Sequence, residues 1–157
     1  MKYVILVFGL PNSGKTTLSK ILKDVLGWTY MIEHLNADAI REKFNDWDFS
    51  LEGRKRQTYR MRDLAADSYA DIVICDFVCP LKEYRALFKD ACRVFIHTSD
   101  KGRFEDTNKL FEVPSADEYD FDLSSFDLID LAVDSIVKFI LFGYKAKYIS
   151  EEPSIPL

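Results

Sequence analysis

The run GLPNSGKTT, Gly9–Thr17, carries the residue types and spacing that bind phosphate, G-x-x-x-x-G-K-[ST], directly after an apolar run and before a helical pattern. Gly9 and Gly14 let the backbone curl, and the loop through Pro11, Asn12 and Ser13 turns its N–H groups toward a β-phosphate. Lys15 can reach the β and γ oxygens, while the Thr16 hydroxyl, followed by Thr17, can ligate Mg²⁺. The expected ligand is ATP with Mg²⁺. Such a loop specifies a nucleoside triphosphate and leaves the acceptor to the rest of the chain.

Two carboxylates stand where phosphoryl-transfer chemistry needs them. Asp38 follows the short apolar segment MIEHL, at a strand end or helix N-cap, where an aspartate stays ionised above the sheet. It can accept the proton of an acceptor hydroxyl as the γ-phosphoryl moves. Asp76 ends the apolar run IVICD, the position of a carboxylate that holds Mg²⁺ or its water. Spacing does not settle which is base and which serves the metal; Asp38 is favoured as base, with Thr16 and Asp76 on the metal.

Arg41, three residues after Asp38, can anchor the acceptor. On a helix starting near Gly53, the inward stripe runs through Met61, Leu64, Ala65 and Ser68. Projecting it backwards puts Arg54 and Gln57 on the same stripe and Arg60 at its border. Polar groups on an inward face look into a cavity. Lys55, Arg56 and Arg62 read as a solvated face. Phe49 and Phe111, both in expected loops, could sandwich a base.

The elements that must position these groups alternate. Tyr3–Phe8, Ile72–Phe77 and Val94–His97 are continuous β-branched and aromatic runs, as in parallel strands covered on both faces. Helical patterns fall at Thr16–Leu26, Asp38–Phe44, Gly53–Tyr69 and Leu81–Asp90, and Phe126–Phe142 reads as a C-terminal helix whose aromatics are core. The expected fold is α/β, a three-layer P-loop NTPase domain with a parallel sheet and NMP-kinase-like topology. One domain is expected over 1–149, with a lid about 100–115 and a flexible tail at 150–157. At 157 residues, 48% hydrophobic, the chain can bury roughly two-thirds of its unfolded surface. Cys75, Cys79 and Cys92 read as buried free thiols, and His34 and His97 as structural. A net charge of −5 argues against a broad nucleic-acid surface. With no basic leader and no apolar run of spanning length, the expected location is the cytoplasm, with no membrane partner.

In order and spacing, GLPNSGKTTL, LNADAIR (Leu35–Arg41), FNDWDFSLEGRKRQTYR (Phe44–Arg60), DFVCPLKEYR (Asp76–Arg85), DKGRFEDTN (Asp100–Asn108) and LFEVP (Leu110–Pro114) resemble the adenylylsulfate kinase family over about residues 4 to 121. That family phosphorylates the 3′-hydroxyl of adenosine 5′-phosphosulfate. The resemblance implies Asp38 as base or metal neighbour, and Arg41, Asn45, Arg54 and Arg60 as ligands of the acceptor's phosphosulfate and ribose. It implies Phe49 and Phe111 as a clamp on adenine, the Val78–Cys79 backbone as pocket lining, Lys101 as the lid cation, and a small nucleotide-like acceptor, with homodimers frequent. Several positions depart from the family pattern. GDN has become Ala37-Asp38-Ala39, the helix asparagine Gln57, the serine before FISP Asp76, and the basic lid Glu105-Asp106-Thr107-Asn108. Acids there weaken contacts to an anionic acceptor. Two other readings stand beside this one. The acceptor could be another hydroxyl, of a nucleoside, a sugar, a hydroxymethylated pyrimidine or a polynucleotide end. Alternatively the chain could be a non-catalytic ATP-binding regulatory module, which the presence of both Asp38 and Asp76 argues against.

Overall fold

The computed structural model describes residues 2–98 and 105–143. Five strands, β1 (Tyr3–Phe8), β2 (Ile32–Asn36), β3 (Ile72–Asp76), β4 (Cys92–Ile96) and β5 (Phe121–Leu123), form one sheet in the order β2-β3-β1-β4-β5. Every pairing is parallel. The helices are α1 (Lys15–Leu26), α2 (Ala37–Phe44), α3 (Leu51–Asp67), α4 (Lys82–Ala86), α5 (Glu105–Leu110) and α6 (Ile129–Phe142).

Alternation along the strands divides the core into two layers. Ile5, Val7, Ile72, Ile74, Val94 and Ile96 face α1 and α6, which return Leu18, Leu22 and Leu26 at i, i+4 spacing and Ala132, Val133, Ile136 and Ile140. Leu6, Phe8, Val73, Cys75 and Phe95 face the other way, against Ile40 of α2, Met61 and Ala65 of α3, and Tyr84 and Phe88. Both faces are covered, which is why β1 and β3 read as unbroken apolar runs. All three cysteines are buried, and burial pushes the Cys75 thiol up to about 12 and Cys79 higher still.

Five elements differ from expectation. The helix expected over Leu81–Asp90 is α4 alone; after Ala86 the chain tightens to i→i+3 bonds, Leu87 N–H to Tyr84 C=O and Phe88 N–H to Arg85 C=O, and so enters β4. α3 begins at Leu51, because Ser50 accepts the Gly53 N–H as its N-cap. α6 begins at Ile129, and Phe126–Leu128 is a separate 3₁₀ turn capped by Ser125. Strand β5 and helix α5 were not foreseen. The expected lid is described only from Glu105 onward, and the expected tail lies outside the described residues.

Candidate active site

The carboxyl ends of β1, β2 and β3 open into a cavity of about 880 Å³, the place where parallel α/β sheets bind ligands. Pro11, Asn12, Gly14, Lys15, Thr16 and Thr17 line one end. Gly9 lies behind them, where a Cβ would stand 2.1 Å from the Ile96 carbonyl oxygen at a φ of +149°. Only glycine fits that approach. Gly14, at φ +102°, is covered by the Phe126 ring, 2.1 Å from where a Cβ would be.

Ser13 lies beneath the loop. Its carbonyl accepts the Thr98 hydroxyl at 2.7 Å, while its own buried Oγ has no partner among the described residues. An unsatisfied buried hydroxyl is costly unless a ligand completes it. The Lys15 ammonium donates to the Leu10 carbonyl at 2.8 Å. Burial lowers its pKa to about 8, against the opposing attraction of Asp76 and Asp38. A buried cation so destabilised gains when anionic phosphate arrives.

Asp76, 1% exposed at the end of β3, accepts three side-chain donors on Oδ2. They are the Thr16 hydroxyl at 2.9 Å, His34 Nε2 at 3.0 Å and Asn36 Nδ2 at 3.2 Å. Asn36 Nδ2 also reaches Thr16 Oγ1 at 3.2 Å, and Asn36 Oδ1 caps α2 through the Ala39 N–H. Among the described residues no three or more His, Cys, Asp or Glu form a metal cage. Mg²⁺ in nucleotide sites is held by one or two protein oxygens plus phosphates and water, so the Thr16 and Asp76 oxygens fit it.

Asp38, in the first turn of α2, lines the cavity and is exposed. No side chain or backbone group among the described residues holds its carboxylate by a hydrogen bond. Arg41 is buried; Nη1 donates to the carbonyls of Asp46 and Asp48 at 3.0 and 3.1 Å, and the guanidinium lies 4.3 Å over the Phe49 ring. Arg54 donates to the Phe49 carbonyl and, across the cavity, to Thr107 Oγ1 at 3.0 Å. Desolvation lowers the pKa of both arginines.

Some expected site residues are not brought into the cavity wall. Arg60 turns to Asp46 Oδ2 at 3.0 Å and to Gln57 Oε1 at 3.2 Å, over the Phe44 ring. Asn45 is the left-handed C-cap of α2, at φ 49°. Phe111 packs on Phe95 and under the Arg85 guanidinium, so it does not face Phe49 across the cavity. Gln57, Val78 and Cys79 do line it, with Cys79 at the unusual φ of 46°. Lys101 lies outside the described residues.

Other groups that line or support the cavity escaped the sequence reading. Trp47, half exposed, lines it beside Phe49 and makes no ring or hydrogen-bond contact with the described residues. An aromatic set between Asp46 and Asp48 in a polar loop was the available signal. Phe126, taken as helix core, instead stands 44% exposed at the cavity over Gly14, because the helix starts three residues later. His34, read as structural, binds Asp76; His97 pairs with Asp122 at 2.8 Å and stacks on Phe95, away from the cavity.

A parallel sheet ordered β2-β3-β1-β4-β5, a phosphate loop between β1 and α1, and a carboxylate at the end of the adjacent strand define a P-loop kinase fold. The sequence profile of the adenylylsulphate kinase family matches residues 1–110, and the chain belongs to that family. A probable adenylyl-sulfate kinase of Aeropyrum pernix is 37% identical over 92 residues, 55% of this chain and 49% of that protein. The match thus spans about half the length of this curated relative. Among solved structures, the Mycobacterium tuberculosis APS kinase in complex with AMPPNP and APS aligns with a TM-score of 0.70 at 19% identity, over 88% of this chain and 97% of that one. Shikimate kinase from Acinetobacter baumannii, in complex with shikimate, aligns at 0.59 and 19%, over 90% and 96%. At such identities the likeness is one of fold.

Proposed function

We propose that this chain transfers the γ-phosphoryl group of MgATP to a hydroxyl of a small nucleotide-like acceptor, the 3′-hydroxyl of adenosine 5′-phosphosulfate. The observation that carries the reading is a single cavity holding the phosphate loop at one end and a carboxylate, Asp38, that no group among the described residues holds by a hydrogen bond, with two arginines beyond it. Family membership supports the same acceptor.

In this reading the loop from Gly9 to Thr17 wraps the phosphates, with Ser13 Oγ and Lys15 completed by their oxygens. Bound Mg²⁺ supplies charge neutralisation at the β and γ oxygens. Thr16 and Asp76 hold it, and Asp38 accepts the acceptor's proton. Asp76 is saturated on one oxygen by three donors, whereas Asp38 has no hydrogen-bond donor among the described residues, which supports the division of roles. Arg41 and Arg54 meet the acceptor's anionic groups, and Phe49, Gln57 and the Val78–Cys79 backbone form its walls. Asn45, Arg60 and Phe111 act from outside the wall, and Lys101 acts as lid cation. A single domain over 1–149, a cytoplasmic location and self-association as a dimer belong to the same reading. No helix among the described residues is long and apolar enough to cross a membrane.

Coupled ADP release with MgATP and adenosine 5′-phosphosulfate, against a no-acceptor control, tests the reading. Acceptor-dependent turnover that Asp38→Asn abolishes, with ATP affinity within about twofold of wild type, is expected, because the substitution removes the proton acceptor and spares the phosphate cradle. Tight ATP binding without turnover on this acceptor would reject it and direct the search to nucleosides, sugars and modified DNA.

A further inference from the structure

We propose that His34 and Asn36 are positioning residues that fix the rotation of the Asp76 carboxylate, turning Oδ1 to the cavity as the oxygen that meets the divalent cation or its water. The inference rests on the proposed metal role of Asp76.

The argument begins with strand register. β2 lies beside β3 with Asn36 opposite Asp76 and His34 opposite Ile74. Two residues apart on a strand, His34 and Asn36 project to the same face, and both side chains end on Asp76 Oδ2, with Thr16 as the third donor. An ionised carboxylate only accepts, so the His34 ring must present a protonated Nε2 to it. All three donors fall on one oxygen. The other has none among the described residues, although Asp76 lines the cavity.

The last torsion of an aspartate is broad and nearly two-fold, so packing alone would leave the two oxygens interchangeable. Three donors on Oδ2 remove that freedom. The His34 and Asp76 side chains are only 10% and 2% exposed, so water competes poorly for these bonds. Outer partners of metal-binding carboxylates act in this way, and losing one typically costs about 10–100-fold in metal affinity.

The test reads metal binding rather than turnover. Mn²⁺ is titrated into the protein saturated with ADP and followed by the electron paramagnetic resonance of free Mn²⁺, for wild type, His34→Leu, His34→Gln, Asn36→Ser and Asp76→Asn. Glutamine can put an N–H near the position of Nε2, and serine keeps the α2 cap while giving up the reach to Asp76. His34→Leu and Asn36→Ser should each weaken Mn²⁺ binding about tenfold or more, His34→Gln should recover most of that loss, and ADP affinity without metal should stay within twofold. Wild-type Mn²⁺ affinity in both His34→Leu and Asn36→Ser overturns the proposal, as does glutamine performing no better than leucine. If His34→Leu fails to fold, Asn36→Ser and His34→Gln carry the comparison. Asp76→Asn separates the two readings. Unchanged Mn²⁺ binding there rejects the metal role itself, whereas its loss beside unaffected His34 and Asn36 variants rejects only the positioning.

Discussion

Replacing Arg85 by methionine removes the most heavily committed cation among the described residues. Its side chain is 2% exposed and donates to Glu118 Oε1 at 3.0 Å and to the carbonyls of Cys79, Pro80 and Glu112 at 3.1, 3.0 and 2.8 Å. The guanidinium thus ties the cavity wall at Cys79–Pro80 to the segment before β5, and methionine fills much of its volume without a donor. Breaking a buried ion pair by removing one partner costs about 3–5 kcal/mol, chiefly because the other charge stays desolvated. The three stranded carbonyls do not add to this in full, since Pro80 C=O keeps the Glu112 N–H, and Glu118 keeps the Ser115 N–H and hydroxyl.

In a domain of this size each kcal/mol is worth roughly 2–4 °C in melting temperature, so Arg85→Met should lower it by about 6–20 °C. Thermal melts followed by far-ultraviolet circular dichroism measure the shift, and urea melts the free energy. Adding Glu118→Gln to Arg85→Met should return part of the loss by removing the orphaned charge. The pH dependence has a defined sign. Burial raises the Glu118 carboxyl, but Ser115 and Arg85 outweigh it and hold the folded-state pKa below its ordinary 4.5. The stability contributed is therefore present above 4.5 and lost as pH falls through the lower folded value. It should be reduced in Arg85→Met, which keeps only the Ser115 donors. A loss under about 1 kcal/mol, far below the range for broken buried pairs, or no recovery in the double variant, would refute the reasoning.

The lowered Lys15 predicts that ATP binding takes up a proton near pH 8, because phosphate favours the charged amine. Affinity should fall as pH rises above about 8, approaching tenfold per unit, and calorimetry in buffers of different ionisation enthalpy should show the uptake. Trp47→Ala should raise the KM for the acceptor about tenfold, a loss of one base–aromatic stack, with the KM for ATP unchanged. Phe111→Ala should instead lower stability, and an acceptor KM raised by Phe111→Ala as much as by Phe49→Ala would restore the Phe49–Phe111 clamp. The buried thiols of Cys75 and Cys79 should resist iodoacetamide at pH 8 until the protein unfolds, which mass spectrometry of the folded protein can check.

Local chemistry made β1, β3 and the phosphate loop legible, because each is specified within a dozen neighbouring residues. Val4 to Phe8 is an unbroken apolar run, and Gly9 and Gly14 mark the two backbone positions that a Cβ would block. Asp38 and Asp76 were legible as carboxylates at element ends for the same reason. Strand β5 was not: Phe121–Leu123 is three residues long, and its pairing with β4 is a property of the sheet. The start of α6 was misplaced because apolar periodicity runs through Phe126, and only the Ser125 cap breaks it there. The placement of Phe111 escaped the reading for another reason. Phe49 and Phe111 both lie outside regular elements, as expected, but Phe111 packs on Phe95 and under the Arg85 guanidinium, which give its ring a core to join, and a reading of loops one at a time cannot see this.

The grouping of His34 and Asn36 with Asp76 shows why the chemistry of a site is harder to read than its parts. His34 is forty-two positions from Asp76 along the chain, and nothing in MIEHLN distinguishes a histidine facing a carboxylate from one facing solvent. The contact exists because β2 pairs with β3 in one register. A shift of one residue would carry both His34 and Asn36 to the other face of the sheet. Register is set in turn by the apolar residues of β2, with Leu35 in the core between the two polar ones. The hydrophobic residue thus determines where the polar ones act, and weakening Leu35 should loosen the Asp76 carboxylate without touching it.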